Sequence, residues 1–209
     1  KLCQKLGFDG IDINMGCPDR TIEKQGAGAA MMRDPKRARE VIRAAKEGAP
    51  KLPVSVKTRI GWGKNEIATW IPEILHEGVA AITIHCRTRK EMSAVPARWE
   101  HIREVTALRD AISPETLVIG NGDVKDIADA RMKAREFGAD GVMLGRAIFG
   151  NPWLFSELHG AKVVPTIEEK LKICVEHTKL FEKLLGDIKS FAIMKKHYKA
   201  YVHGFDRAK

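Results

Sequence analysis

Five short β-branched runs recur along the chain, each followed by a helical pattern, and this alternation restricts the fold more than any other feature. The runs are Gly10-Ile11-Asp12-Ile13-Asn14, Pro53-Val54-Ser55-Val56-Lys57, Ala81-Ile82-Thr83-Ile84-His85, Thr116-Leu117-Val118-Ile119 and Gly141-Val142-Met143-Leu144. The helical stretches carry their own punctuation. Asp34-Pro35 offers an N-cap and a first-turn proline, Ala38, Val41, Ile42 and Ala45 an apolar stripe, and Gly48 a stop. A second helix is expected from about Asn65, with Ile67, Ile71, Ile74 and Leu75 as its stripe and Gly78 as its end. A third is expected near 98–108, and a fourth carries Ile127, Ala130, Ala134 and Phe137 up to Gly138. Such repetition requires parallel strands joined by right-handed crossovers.

Alternation alone does not choose between an open doubly wound sheet and a closed barrel. Polarity within the strands is more informative. One face is apolar (Ile11, Ile13, Val54, Val56, Ile82, Ile84) and the other polar (Asp12, Asn14, Ser55, Lys57, Arg59, Thr83, His85, Arg87). Strands of an open parallel sheet are covered on both sides and read apolar throughout. An apolar outer face under helices, with an inner face turning polar toward the strand ends, predicts a partial TIM (β/α)8 barrel with its site at the carboxyl mouth. Five strands leave about three, or roughly 80–100 residues, to be supplied, and the expectation is that they precede Lys1. Lys1-Leu2-Cys3-Gln4-Lys5 reads like the middle of a helix, consistent with a piece of a longer protein.

After about residue 150 the pattern turns helical. Thr166-Ile167-Glu168-Glu169 predicts a capping box opening a helix through about Leu185, and a second helix is expected near 188–202. The expected division is a barrel part, 1–158, and a helical part, 159–209. The formal charge is +9, and the last 24 residues hold six Lys or Arg against two Asp, hence +4 of it. That favours an anionic partner at the tail. Tyr198 and Tyr201 share a helical face and serve equally well as core or as stacking surface. No apolar run approaches the ~18–20 residues of a membrane span. The four cysteines (Cys3, Cys17, Cys86, Cys174) lack the paired spacing of a zinc site or a disulfide framework, so a reducing cytoplasm is the default.

Chemistry concentrates at the strand ends. Asn14-Met15-Gly16-Cys17-Pro18 follows the first run: Pro18 stops the strand and Gly16 permits a sharp turn, presenting the Cys17 thiol at the mouth. The other three cysteines read as buried thiols. Lys57 and His85 lie on the polar side of neighbouring strands, a pattern that favours a shared ligand. Asn121-Gly122-Asp123 and Gly145-Arg146 end the last two strands, where glycines let backbone N–H groups approach a phosphate and Arg146 supplies countercharge. Arg87 belongs to the inward series, whereas Arg89 and Lys90 read as a solvated loop.

Five motifs, Asn14-Met15-Gly16-Cys17-Pro18, Val56-Lys57-Thr58-Arg59-Ile60-Gly61, Ile84-His85-Cys86-Arg87-Thr88, Asn121-Gly122-Asp123 and Gly145-Arg146, occur in the order and spacing of the tRNA-dihydrouridine synthases. The resemblance extends through Lys195-Lys196-His197-Tyr198 to Gly204-Phe205 and so covers nearly the whole chain. It implies a flavin enzyme that reduces uridine to dihydrouridine in tRNA, with FMN recharged by NADPH or NADH. Cys17 matches the catalytic cysteine and Lys57 the flavin-binding lysine. His85, Asn121, Gly122, Asp123, Gly145 and Arg146 match positions that line or hold FMN and its phosphate. Asn14 matches a residue beside the target base; Arg59, Arg87, Lys195, Lys196 and Lys199 are the further expected contacts to tRNA. The expected partner is tRNA, with no metal and no membrane, for a cytoplasmic monomer. The family's early strands and the end of its helical tail are absent from these 209 residues. Two other classes fit parts of the sequence. A dihydropyrimidine or dihydroorotate dehydrogenase relative would share the phosphate site but needs no basic tail; a non-catalytic RNA-binding module explains neither Cys17-Pro18 nor the inward Lys57 and His85.

Overall fold

The computed structural model describes residues 1–159 and 164–202. A short helix α1 (Leu2–Lys5) precedes β1 (Ile11–Asn14), followed by α2 (Arg20–Lys24), a 3-10 turn (Gly28–Arg33) and α3 (Pro35–Gly48). Then come β2 (Val54–Arg59), α4 (Ile67–Leu75), β3 (Ala81–His85), α5 (His101–Ile112), β4 (Leu117–Asn121), α6 (Ile127–Phe137) and β5 (Gly141–Met143). The helices α7 (Ile167–Leu185) and α8 (Met194–Tyr201) complete the described chain, with 3-10 turns at Arg146–Ile148, Leu154–His159 and Phe191–Ile193.

All four strand pairings are parallel, and the strands lie side by side in chain order, β1 to β5. A doubly wound sheet reverses its strand order at a switch point; this sheet never does. It is part of a (β/α) barrel wall, as the strand polarity predicts. Val54, Val56, Ile82, Ile84 and Val118 form the buried outer face, against Ile42 of α3, Ile71 and Ile74 of α4, and Ile102 and Val105 of α5. Each fully buried Val or Ile contributes on the order of 1.5–3 kcal/mol, so this one-sided layer is the main cohesive element. Gly120 is required on that face: a Cβ there would lie 2.2 Å from the Trp99 ring.

The local signals operate as the residue types dictate. The Asp34 carboxylate accepts from the Arg37 N–H at 3.1 Å, with Pro35 in the first turn of α3, a cap that contributes about 1 kcal/mol. Thr166 and Glu169 form the reciprocal capping box at the start of α7. Three boundaries move. α4 begins at Ile67, with the Asn65 side chain accepting from its N–H at 2.9 Å. α5 begins at His101, because Arg98 and Trp99 are held on the sheet, the Arg98 N–H by the Cys86 carbonyl and the Trp99 indole by the Gly122 carbonyl. The last helix is shortened to α8, since the Ser190 side chain caps a 3-10 turn ahead of it. Gly204 and Phe205 lie outside the described residues.

Two compact units result. One holds Lys1–Val124 and Ala128–Leu144; the other holds Lys125–Ile127 and the chain from Gly145 onward. The expected boundary at 158/159 therefore falls inside the second unit. Among the described residues no helix is long and apolar enough to cross a membrane, and no three His, Cys, Asp or Glu side chains cluster as metal ligands.

Candidate active site

Register builds the site. Asn14 pairs with Lys57 and Lys57 with Thr83, so these lie in one row across β1, β2 and β3. One step toward the carboxyl ends, Arg59 pairs with His85, His85 with Asn121, and Asn121 with Met143. Since residues two apart on a strand share a face, the two rows form a continuous polar surface opposite the helix-covered core.

The Cys17 loop leaves β1 under tight backbone control. Asn14 Oδ1 accepts from the N–H groups of both Gly16 and Cys17 at 3.0 Å. The Cys17 carbonyl accepts from the Ala29 N–H at 2.9 Å. None of these bonds uses the thiol, which is half-buried, so the loop is fixed independently of the sulfur. Asn14 keeps its Nδ2 as a donor for a ligand.

Lys57 is half-buried, and among the described residues its ammonium makes no hydrogen bond or ion pair. Burial pushes its pKa down, and Arg59 adds to that; Asp12 opposes it. Asp12 in turn accepts from the Ser55 hydroxyl at 2.6 Å. A cation kept partly out of water without a partner is costly unless an electron-rich group meets it.

His85 is also held neutral. Burial lowers its pKa to about 3, assisted by Arg59, Lys57 and Arg87 and opposed by Asp123. Its Nε2 lies 3.1 Å from Arg87 Nη1. A guanidinium only donates, so Nε2 is the acceptor and the ring proton sits on Nδ1. His85 thus presents an N–H donor on its other edge. Because the folded pKa lies below the unfolded value of 6.5, the contribution of this group to stability is complete above pH 6.5 and lost as pH falls toward 3. The slope is at most about 1.4 kcal/mol per pH unit, solvent on the open side of the ring reducing it. Urea unfolding between pH 7 and pH 4 is expected to show His85→Gln losing less stability per pH unit than the parent; equal slopes would remove His85 from the balance.

Arg59 and Arg87, expected from the sequence as contacts to tRNA, are both buried and bonded within the protein. Arg59 is 7% exposed, and its guanidinium donates to the carbonyls of Gly16 (2.8 Å), Thr88 (3.1 Å) and Met92 (3.0 Å). Arg87 is 3% exposed and donates to the Val95 carbonyl at 2.6 Å and to Asp123. Both brace the strand-end loops from inside, because at the mouth of a barrel the nearest acceptors are the turning backbones of neighbouring loops. Arg89 departs too: it is drawn from the solvated loop onto Glu23 and over the Trp62 ring, 4.9 Å from its centroid. Lys90 is exposed, as expected.

At the end of β4, Asn121 Nδ2 donates to the Met143 carbonyl at 2.8 Å, tying β4 to β5. Gly122 has φ +124, and a Cβ there would meet Ala97 at 2.7 Å and the His85 ring at 3.2 Å. Asp123 accepts from the Ala97 N–H at 2.9 Å as well as from Arg87. The segment is a braced tip beside His85, and glycine is the residue that fits it. Gly145 and Arg146 begin the second unit, where Arg146 opens its 3-10 turn and a Cβ on Gly145 would meet nothing within 4 Å. In that unit Lys195, Lys196 and Lys199 are exposed on α8, Lys196 over the Phe149 ring at 5.4 Å. Tyr201 is buried beside His177 Nδ1 (3.3 Å) and is core, whereas Tyr198 is half-buried with its hydroxyl 3.0 Å from that of Thr178. Cys86 is fully buried, its thiol pushed up to about 12 by burial, and Cys174 is buried as well.

Sequence reasoning missed the long-range braces: Trp99 on Gly122 (2.7 Å), Trp70 on the Thr58 hydroxyl (2.9 Å), which in turn donates to the Met15 carbonyl, and Glu23 with Arg89. Their partners lie 12 to 66 residues apart, and no local pattern marks them. A flavin phosphate or an anionic ring edge fits the donor set: an ammonium without a partner among the described residues, a neutral imidazole with an N–H on its second nitrogen, and a glycine tip that a Cβ would fill.

The family model described as "Dihydrouridine synthase (Dus)" matches residues 1–209. A "Probable tRNA-dihydrouridine synthase" of Staphylococcus aureus (strain MRSA252) is 42% identical over 202 residues, covering 96% of this chain and 60% of the relative. "Probable tRNA-dihydrouridine synthase 2" of Bacillus subtilis (strain 168) is 39% identical over 206 residues, covering 96% and 61%. The chain thus spans about 60% of the length of the curated relatives it matches. Among solved structures, a crystal structure of 2,3-dimethylmalate lyase, a PEP mutase/isocitrate lyase superfamily member, matches with a TM-score of 0.53 at 15% identity, covering 96% of this chain and 82% of that one, a likeness of fold. With the family model matched from end to end and curated relatives about 40% identical over nearly all of these residues, the chain belongs to the dihydrouridine synthase family.

Proposed function

We propose that this protein reduces uridine to 5,6-dihydrouridine in tRNA, with FMN as its flavin and NADPH or NADH as the reductant, in the cytoplasm. The observation that carries the reading is the half-buried, unpartnered Lys57 in the same strand row as Asn14, whose side chain holds the Cys17 turn. When bound, FMN supplies the hydride that adds to C6 of the uracil.

The residues of the chain do the rest. Lys57 places a positive charge where the reduced cofactor carries negative charge, an electrostatic role that needs no movement during reaction. His85, neutral and protonated on Nδ1, donates a hydrogen bond without adding charge. Asn121, Gly122 and Asp123 hold the cofactor on the barrel unit, and Gly145 and Arg146 match the family's phosphate-binding positions. Asn14 offers its Nδ2 to the target base. Cys17 gives its thiol proton to C5 while hydride arrives at C6; this is general-acid work and differs from nucleophilic cysteine chemistry, which needs the thiolate. The base must leave its stack to reach the site, at a cost of a few kcal/mol. Lys195, Lys196 and Lys199 on α8 offset part of that cost by holding the tRNA backbone.

The test is direct. The full-length protein is incubated with in vitro transcribed tRNA, FMN and NADPH, and the nucleosides are analysed by mass spectrometry. Uridine carrying two added hydrogens is expected. Reduction of free uracil or oxidation of dihydroorotate with tRNA untouched would assign the site to the dehydrogenase class instead.

A further inference from the structure

Next to the Cys17 loop lies a second charged feature that the proposed chemistry leaves unused. Arg20, Glu23, Lys24, Arg33, Trp62 and Arg89 line an open cleft of about 530 Å³. Four cations there face one carboxylate, and that carboxylate, Glu23, is already taken by Arg89. Arg20, Lys24 and Arg33 are exposed, and among the described residues they make no ion pair. Unpaired surface cations are ordinary; the difference here is that two of the guanidinium groups are held in place. Arg33 lies 5.2 Å and Arg89 4.9 Å from the Trp62 ring centroid. Trp62 is itself anchored, its N–H donating to Glu66 at 2.6 Å and its carbonyl accepting from the Lys90 N–H at 2.9 Å. Cation–π contact of this kind fixes long side chains in advance and reduces the entropy lost on binding an anion.

The cleft is tied to the catalytic loop. Arg89 Nη2 approaches the Pro18 carbonyl at 3.5 Å, and Arg20 is the first residue of α2, whose N-cap Asp19 follows Pro18. Arg20 lies three positions after Cys17, at most about 11 Å of chain. An extended polyanion whose reacting unit sits at Cys17 would lay its neighbouring phosphates here.

The geometry points to a phosphodiester-binding rim: Arg20, Lys24 and Arg33, set around Trp62, hold the RNA backbone that flanks the uridine being reduced. This rests on the tRNA reading above and adds to it a second grip, at the reacting end of the substrate and on the barrel unit, apart from the lysines of α8.

The test compares charge-matched variants of the full-length protein. Arg20→Gln and Arg33→Gln are each expected to weaken tRNA binding about 10-fold in fluorescence anisotropy and to raise KM for tRNA similarly. The slope of log affinity against log salt is expected to fall by about 0.7–0.9 for each phosphate that is no longer neutralised. Arg131→Gln and Arg135→Gln, exposed on α6, change net charge equally and serve as controls that leave the slope as in the parent. Equal effects from all four variants, or none from Arg20→Gln and Arg33→Gln, would overturn the rim. A parent that binds tRNA in this residue-dependent way yet forms no dihydrouridine would instead sink the proposed reaction and leave the rim standing.

Discussion

Cys17→Ala is expected to lower dihydrouridine formation by about 10²–10⁴-fold, the usual worth of a positioned general acid, while FMN stays bound. The separation of these effects follows from how the loop is held. Its constraints are backbone bonds to Asn14 and Ala29, none of which involves the sulfur. Alanine therefore removes the proton donor and leaves the turn in place. Rapid mixing resolves the two halves of the cycle: reduction of the bound flavin by NADPH is expected at the parent rate, and reoxidation by tRNA to be nearly absent. Cys17→Ser is expected to retain a fraction of activity, since a hydroxyl donates a proton less readily than a thiol. Loss of flavin together with activity would make Cys17 a structural residue.

Lys57→Met is expected to move two quantities in opposite directions. FMN retention should weaken about 10–100-fold, matching the ~1.5–3 kcal/mol of a hydrogen bond to a charged group. The flavin-free protein should at the same time become as stable as the parent or more so, because the substitution removes a partly desolvated ammonium that has no partner among the described residues and keeps its aliphatic volume. A residue that costs stability and gains ligand affinity is one retained for binding. Equilibrium dialysis of FMN and thermal unfolding of the flavin-free protein measure the two effects. A destabilised flavin-free variant with unchanged FMN affinity would give Lys57 a purely structural role.

Much of this site is legible in the residues. The period-2 polarity of Ile11-Asp12-Ile13-Asn14 and Val54-Ser55-Val56-Lys57 locates an inward row, and parallel register brings Asn14 beside Lys57 and Arg59 beside His85. Helix starts at Pro35 and Ile167 are equally readable, because a capping residue acts within one turn of itself. What the residues do not show is the bonding of a long side chain whose acceptor is distant in the chain. Arg59 and Arg87 have the charge and position of substrate ligands, but their guanidinium groups end on carbonyls 29 to 43 residues away in Arg59 and on Val95, His85 and Asp123 in Arg87. The same reach takes Arg89 out of solvent onto Glu23, 66 residues earlier in the chain.

Properties that depend on near neighbours along the chain were therefore settled by the amino-acid order: which segments are strands or helices, which strand face is polar, where helices are capped, and which thiol follows a glycine turn. The fate of each charged group was settled by folding, since whether a cation is neutralised, braced or left open depends on the carbonyls and carboxylates that tertiary packing brings within about 3 Å. Lys57 and Arg59, two residues apart on one strand, show the difference: the second donates to three backbone carbonyls, the first bonds to none of the described residues.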